Sequence, residues 1–220
     1  MASQTEENYL KALYYLTNRK EEVNASELSN LLKVSLPTVN SMVKNLKRQG
    51  LVNYEKYKPI SLTDSGKKKA ALVLRKHRLT EMYLVEKMGI GWEYVHEIAE
   101  QMEHIHSNVF FERIDELLDF PKIDPHGSPI PDENGEMIWV NHEKLSDCRA
   151  GEIVRLVALA HASNDFLKFL NSRDLNLQTK IEIRSVEPYD NSMIVSYESH
   201  PSEMLSLVVS ESLLIERLQP

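Results

Sequence analysis

NASELSNLLKVSLPTVNSMVKNLKRQG, residues 24–50, is the stretch whose reading decides the fold. Asn24 with Glu27 three residues on has capping-box spacing, in which each side chain satisfies a backbone N–H of the other residue. Leu28, Leu31 and Leu32 then give a helix one apolar face. Pro37 suits a first helical turn, where its missing N–H costs nothing, and Val39, Met42, Val43 and Leu46 carry a third helix to Gly50. Only Lys33-Val-Ser-Leu36 separates the two, so they form a helix-turn-helix. The second of them presents Ser35, Pro37, Thr38, Asn40 and Ser41 to a DNA major groove. Upstream, Leu10, Leu13 and Tyr14 within Glu7–Thr17 read as a first helix, followed by a polar break. Downstream, Leu51–Thr63 reads as two short strands about a Lys/Pro tip, and Thr63-x-x-Gly66 opens the next helix. The unit is a winged helix-turn-helix, with Lys44, Lys47 and Arg48 on the recognition helix and Lys56 and Lys58 on the wing as phosphate contacts.

The charge distribution agrees. The net charge is −7, yet residues 1–76 hold 14 Lys and Arg against 7 Asp and Glu, or +7, which leaves −14 for the remainder. A basic module joined to an acidic one is an electrostatic footprint for nucleic acid. At 220 residues with 42% hydrophobic content, the chain has the material for two or three small domains with real cores. The single cysteine, Cys148, excludes an intrachain disulfide framework and any zinc site built on two thiolates. The first residues lack a basic and an apolar signal region, and no apolar run is long enough for a bilayer, so a cytoplasmic protein without a membrane partner is expected.

Metal chemistry is written into the middle of the chain. On a helix, Glu100, Glu103 and His104 of Glu100-Gln-Met-Glu103-His104 share one face with His96 one turn earlier, because residues three and four apart are neighbours. His77 and Glu81 form a second pair at i, i+4. Carboxylate with imidazole suits a borderline divalent ion. Beyond residue 120, Pro121, Pro125, Pro129 and Pro131 with Gly127 and Gly135 read as a linker. A turn at Leu145 then leads into a strand, a short helix spans Asp165–Asn171, and the runs Lys180–Ile183, Ser192–Tyr197 and Leu205–Ser210 complete a small β unit. The expected fold class is mainly α with a small β domain. It divides into a winged helix-turn-helix at 1–70, a helical metal-binding and dimerisation region at 71–140, and a β domain at 145–220.

The winged helix, Arg75-Lys-His-Arg-Leu79 with Glu81, the Glu103-His104 pair and Asp124-Pro-His126-Gly-x-Pro129-Ile-Pro131 together resemble the diphtheria toxin repressor and manganese transport regulator family. The resemblance covers nearly the whole chain. It implies a homodimeric, metal-activated repressor of metal-uptake genes that binds operator DNA, with an SH3-like C-terminal domain. It implies a first metal position at Asn8, Glu100, Glu103 and His104. Asn8 stands where Met or Asp is usual, and Lys11 replaces an acidic residue of the shorter manganese-sensing relatives. For a second position it implies Glu81, Asp124, His126 and Asp165 in the manganese-like arrangement, or His77, Glu81 and His96 in the iron-like one. Glu100 stands where iron-sensing relatives carry cysteine, so Mn²⁺ is the first choice and Fe²⁺ the second, with Zn²⁺, Co²⁺ or Ni²⁺ able to bind in vitro. No enzyme is expected. The competing readings are a metal-independent winged-helix regulator and a metallohydrolase with Glu103 as general base.

Overall fold

The computed structural model describes residues 3–17, 22–56 and 58–218; the polar break at 18–21 and Tyr57 in the wing lie outside the described residues. The chain forms two compact units. The first comprises Met1–Tyr83, Glu97–Lys122 and Ile130–Ile138, and the second Leu84–His96, Ile123–Pro129 and Trp139–Pro220.

Helix α1 (Gln4–Thr17) starts one turn earlier than Leu10 and Leu13 alone suggest. Ser3 and Glu6 cap each other there: Glu6 Oε2 accepts from the Ser3 N–H at 2.9 Å, and Ser3 Oγ from the Glu6 N–H at 3.3 Å. Helix α2 (Ala25–Leu32) has the expected box at Asn24 and Glu27, and left-handed Lys33 (φ 53°) ends it. Helix α3 (Leu36–Arg48) is capped by Ser35, with Pro37 in its first turn. Strands β1 (Val52–Asn53) and β2 (Ser61–Leu62) pair antiparallel as the wing. Leu10, Leu13, Leu28, Val39, Val43, Leu46, Leu51 and Ile60 bury one core beneath these elements. Helix α4 (Asp64–Glu86) leaves the wing at Thr63, whose hydroxyl accepts from the Gly66 N–H at 3.1 Å. Only glycine fits at 66, because a Cβ would stand 1.9 Å from the Leu51 carbonyl oxygen.

Helices α5 (Val95–Met102) and α6 (Asn108–Leu117) follow, α6 capped by Ser107. Helix α5 ends at Met102, so Glu103 and His104 lie in the turn beyond it and not on its face. The Glu103 N–H still bonds to Ala99 O at 2.9 Å. A smaller core of Leu79, Phe111, Ile114 and Ile130 belongs to the first unit.

The second unit is built on a six-stranded antiparallel sheet in the order β3-β8-β4-β5-β6-β7. Its strands are β3 (Glu143–Lys144), β4 (Ile153–Leu159), β5 (Lys180–Val186), β6 (Met193–Tyr197), β7 (His200–Leu205) and β8 (Leu213–Arg217). Helix α7 (Asn164–Asn171), capped by Ser163, crosses between β4 and β5 in sequence. The Leu205–Ser210 run is a strand only at Leu205, where β7 ends. Ser206 Oγ accepts from the Val209 N–H and turns it into the short helix α8 (Leu207–Ser210). The core is aliphatic, with Leu145, Leu156, Leu170, Leu175, Ile181, Ile183, Val195 and Leu213 wholly buried. This sheet fits the SH3-like domain. Among the described residues, no helix is long and apolar enough to cross a membrane.

Candidate metal centre

Helices α1, α4 and α5 and the turn after α5 bring seven ionisable side chains together within the first unit. On α4, His77 and Glu81 are one turn apart and buried, with His77 Nε2 3.0 Å from Glu81 Oε1. The other ring nitrogen, Nδ1, lies 2.6 Å from Oε2 of Glu103, whose side chain is fully buried. Burial alone would lower the imidazole pKa, but hydrogen bonds to Glu103 and Glu81 outweigh it and raise it to about 9. Burial opposes ionisation of Glu103 as well, yet the His77 hydrogen bond and the charge of Lys11 hold its carboxyl below the usual range. A buried carboxylate with two cationic neighbours is the arrangement that makes charge burial tolerable.

His104 is held from α1. Its Nδ1 lies 2.6 Å from Glu7 Oε2; a carboxylate accepts, so Nδ1 carries a hydrogen, and in the neutral ring Nε2 is the nitrogen left with a lone pair. That Nε2 is buried, has no hydrogen-bond partner, and lies 3.6 Å from Glu103 Oε1. An imidazole oriented by a carboxylate, with its unpartnered nitrogen beside a second carboxylate, fits a borderline divalent ion. Glu100 is exposed, and Asn8 on α1 is half-buried. Lys11 lies among the same groups. Its Nζ is 2.7 Å from both Glu103 oxygens, donating to Oε2, and 3.7 Å from Glu100 Oε1.

The remaining expected ligands belong to the second unit. His96 is exposed at the start of α5, and Asp165 is exposed in the first turn of α7. Asp124 is buried; its Oδ1 accepts from the N–H groups of His126 at 2.8 Å and Ser128 at 2.9 Å, which shapes the turn. The His126 ring stacks on Trp92 at 5.8 Å, and its Nε2 lies 3.1 Å from the Trp92 carbonyl. A carbonyl only accepts, so Nε2 is the donor and Nδ1 the basic nitrogen of a neutral ring. Gly127 (φ 86°) completes the segment, since a Cβ there would stand 2.3 Å from the Val157 carbonyl oxygen.

The Arg75–Leu79 motif divides its labour residue by residue. Arg75 pairs with Asp115 on α6 and donates to the Pro131 carbonyl at 2.6 Å. Lys76 lies over the Phe111 ring at 5.2 Å, Arg78 reaches Met137 Sδ at 3.3 Å, and Leu79 fills the core. His77 between them faces the acidic cluster.

The surface expected to meet DNA is prepared in a similar way. Pro37, Asn40, Ser41, Lys44, Lys47 and Arg48 line one open depression. Ser35 and Thr38 share a hydroxyl hydrogen bond at 2.8 Å. Tyr54 links wing to helix, its hydroxyl donating to Asn40 Oδ1 at 3.2 Å while its carbonyl accepts from Lys47 Nζ at 2.7 Å. On the wing, Lys56 and Lys58 are exposed, and Lys58 pairs with Glu55 at 2.6 Å. Behind α3, Glu6 Oε1 accepts from Asn45 Nδ2 at 2.7 Å and Gln49 Nε2 at 2.6 Å. The sequence reading passed over Glu6, Glu7 and Tyr54. The signal for the first two was present, since a polar pair at 6 and 7 with Lys11 one turn later cannot be explained by the Leu10/Leu13 face.

Comparison with known proteins bears on both surfaces. Residues 1–60 match the iron dependent repressor N-terminal DNA binding domain, and residues 63–132 the iron dependent repressor metal binding and dimerisation domain. The diphtheria toxin repressor of Corynebacterium efficiens is 30% identical over 189 residues, covering 81% of this chain and 82% of that protein. The iron-dependent repressor IdeR of Mycobacterium leprae is 35% identical over 127 residues, 58% of this chain and 55% of that protein, so the match spans little more than half of that relative. Among solved structures, a manganese-dependent transcriptional repressor in complex with manganese superposes with a TM-score of 0.85 at 28% identity, covering 97% of this chain and 100% of the other. These relatives are named as repressors and not as enzymes. A DNA-binding module, a helical metal-binding module and a match over about four-fifths of a diphtheria toxin repressor place this chain in the iron-dependent repressor family.

Proposed function

We propose that this chain is a metal-dependent transcriptional repressor that binds double-stranded operator DNA as a homodimer and controls metal-uptake genes. The observation that carries the reading is the position of α1. Glu6 holds Asn45 and Gln49 of the recognition helix, while the next residue, Glu7, holds His104 of the acidic cluster. One helix therefore touches both the ligand candidates and the DNA-reading element.

Glu100, Glu103 and His104 are the proposed ligands of the first position, with Asn8 contributing a neutral amide oxygen. Bound there, a divalent ion supplies the positive charge that lets these carboxylates converge. The chain's own groups do the rest. Glu7 fixes the His104 tautomer, His77 orients Glu103, and Glu6 transmits the placement of α1 to α3. Mn²⁺ is the first choice and Fe²⁺ the second, because the donor set is carboxylate and imidazole without thiolate; Zn²⁺, Co²⁺ and Ni²⁺ will also bind in vitro. The manganese complex of the structural relative supports that order. His77 and Glu81, and in the second unit His96, Asp124, His126 and Asp165, are proposed as further ligands. A homodimer must set its two recognition helices about 34–36 Å apart to enter successive major grooves. Metal favours that spacing only by its differential affinity for the DNA-competent state, and operator DNA in turn tightens metal binding by the same factor.

The test is fluorescence anisotropy on a promoter fragment, with the chain first in chelator and then titrated with Mn²⁺ or anaerobic Fe²⁺. Metal should strengthen binding at least tenfold, roughly the lower range of allosteric coupling. A Glu103→Ala, His104→Ala double variant should lose the response. Equal binding in chelator and in metal would refute the metal switch and favour a metal-independent regulator.

A further inference from the structure

We propose that Lys11 is a tethered counter-ion that competes with the divalent metal for Glu103. The inference rests on the metal-binding reading above and deepens it, because it names what the ion has to displace.

Three observations converge. Lys11 Nζ is 2.7 Å from each oxygen of Glu103 and 3.7 Å from Glu100 Oε1, so one ammonium bridges the two carboxylates assigned to the first metal position. An ammonium has three donors and no lone pair, so it cannot join a metal's coordination shell. A divalent ion and the ammonium, both within contact distance of one fully buried carboxylate, would also repel each other strongly where water does not screen them. The two occupancies are mutually exclusive. Finally, Lys11 lies one helical turn beyond Glu7, and the two point at the same turn, Glu7 at His104 and Lys11 at Glu103. The ammonium thus makes the same α1-to-turn junction that a bound ion would make, with a single charge in place of two.

Two consequences follow. Lys11 raises the metal concentration at which the first position fills, and it maintains part of the junction when metal is scarce, which narrows the difference between the two states of the switch.

The experiment uses the full chain, stripped of metal, with Mn²⁺ as the probe in competition with a fluorescent chelator. Lys11→Met keeps the aliphatic stem and removes the charge; Lys11→Arg keeps the charge. Lys11→Gln replaces the Met variant if that one does not fold. The Met or Gln variant should bind Mn²⁺ roughly tenfold tighter or more, and Lys11→Arg should bind like the parent. Without metal, the Met variant should melt at lower temperature than the parent, and saturating Mn²⁺ should raise its melting temperature by more. Equal or weaker Mn²⁺ affinity in the neutral variant, with the parent binding normally, overturns the counter-ion role alone. Failure of every chain to take up Mn²⁺ overturns the metal-binding reading and the counter-ion with it.

Discussion

The interior of the first unit and the core of the β domain are built on opposite terms. The β domain buries Leu156, Leu170, Ile181, Ile183 and Val195 without an ionised group among them, and its lone thiol, Cys148, is pushed up to about 11 by burial. The first unit buries Glu6, Glu7, His77, Glu81, Glu103 and Asp115. Apolar burial is non-directional and contains no group for a proton or a metal ion to bind. Buried charges are worth little as net stability but respond to any change in their partners. One chain therefore contains a region built to persist and a region built to be perturbed.

The largest expected effect comes from breaking a buried pair in the first unit. Arg75→Ala strands the Asp115 carboxylate, whose Oδ1 already lacks a hydrogen-bond partner, and removes the donor to Pro131. The loss should be about 3–5 kcal/mol, read by urea denaturation. A loss below about 1 kcal/mol would show that Asp115 is taken up by water and that this interior is wetter than its burial indicates. Next comes the β domain's own weak point: Leu156→Ala opens a cavity in a wholly apolar core and should cost about 2–5 kcal/mol. The comparison predicts that this loss is the same with and without Mn²⁺, whereas the loss from Glu103→Gln depends on metal.

These two regions were unequally legible in the sequence. The helix-turn-helix could be read because its signals are local: Asn24 with Glu27, Ser35 and Pro37 all act within one turn of themselves. Strands β5 and β6 were visible as alternating runs, but Leu205–Ser210, read in the same way, is mostly helix, because a serine cap at 206 overrides a pattern of period two. In the cluster, His77, Glu81, Glu103 and His104 were nameable from spacing. The helix that was to carry the last two stops at Met102, and their convergence depends on α1, about 90 residues away in sequence. No local pattern reports that Glu7 meets His104 or that Lys11 meets Glu103. Such pairings are set by the packing of α1, and periodicity is silent on tertiary partners.

A pH titration sharpens the contrast at smaller amplitude. His77 faces Glu81 on its own helix, Glu103 from the turn after α5, and the opposing charge of Lys11 from α1. Its pKa in the fold is about 9 against 6.5 when exposed. Being raised, it contributes stability that is fully present below about 6.5 and lost as pH rises through about 9, on the order of 3 kcal/mol in all. Cys148 acts in the same direction only above its ordinary value of 9.0, so the interval from about 7 to 8.5 isolates His77. In chelator, the urea midpoint should fall across that interval, and His77→Gln should flatten it. A midpoint that stays level in the parent chain would mean that His77 is neutral in the fold.

The smallest effect is expected from the surface of the β domain, where Arg217 is the counterpart of Arg75. It pairs with Glu143 at 2.8 Å and also with Glu152, so by geometry alone it is as well satisfied as Arg75. Its side chain, however, is 40% exposed against 18% for Arg75. Water and salt screen such pairs, and the long side chains lose conformational entropy in forming them. Arg217→Ala should therefore shift the melting temperature far less than Arg75→Ala, and the shift should shrink further in about 1 M salt, where the screening length is near 3 Å. If the two arginines instead cost the same, burial would not be what separates the regions, and the responsiveness of the first unit would have to come from the proposed metal ligands alone.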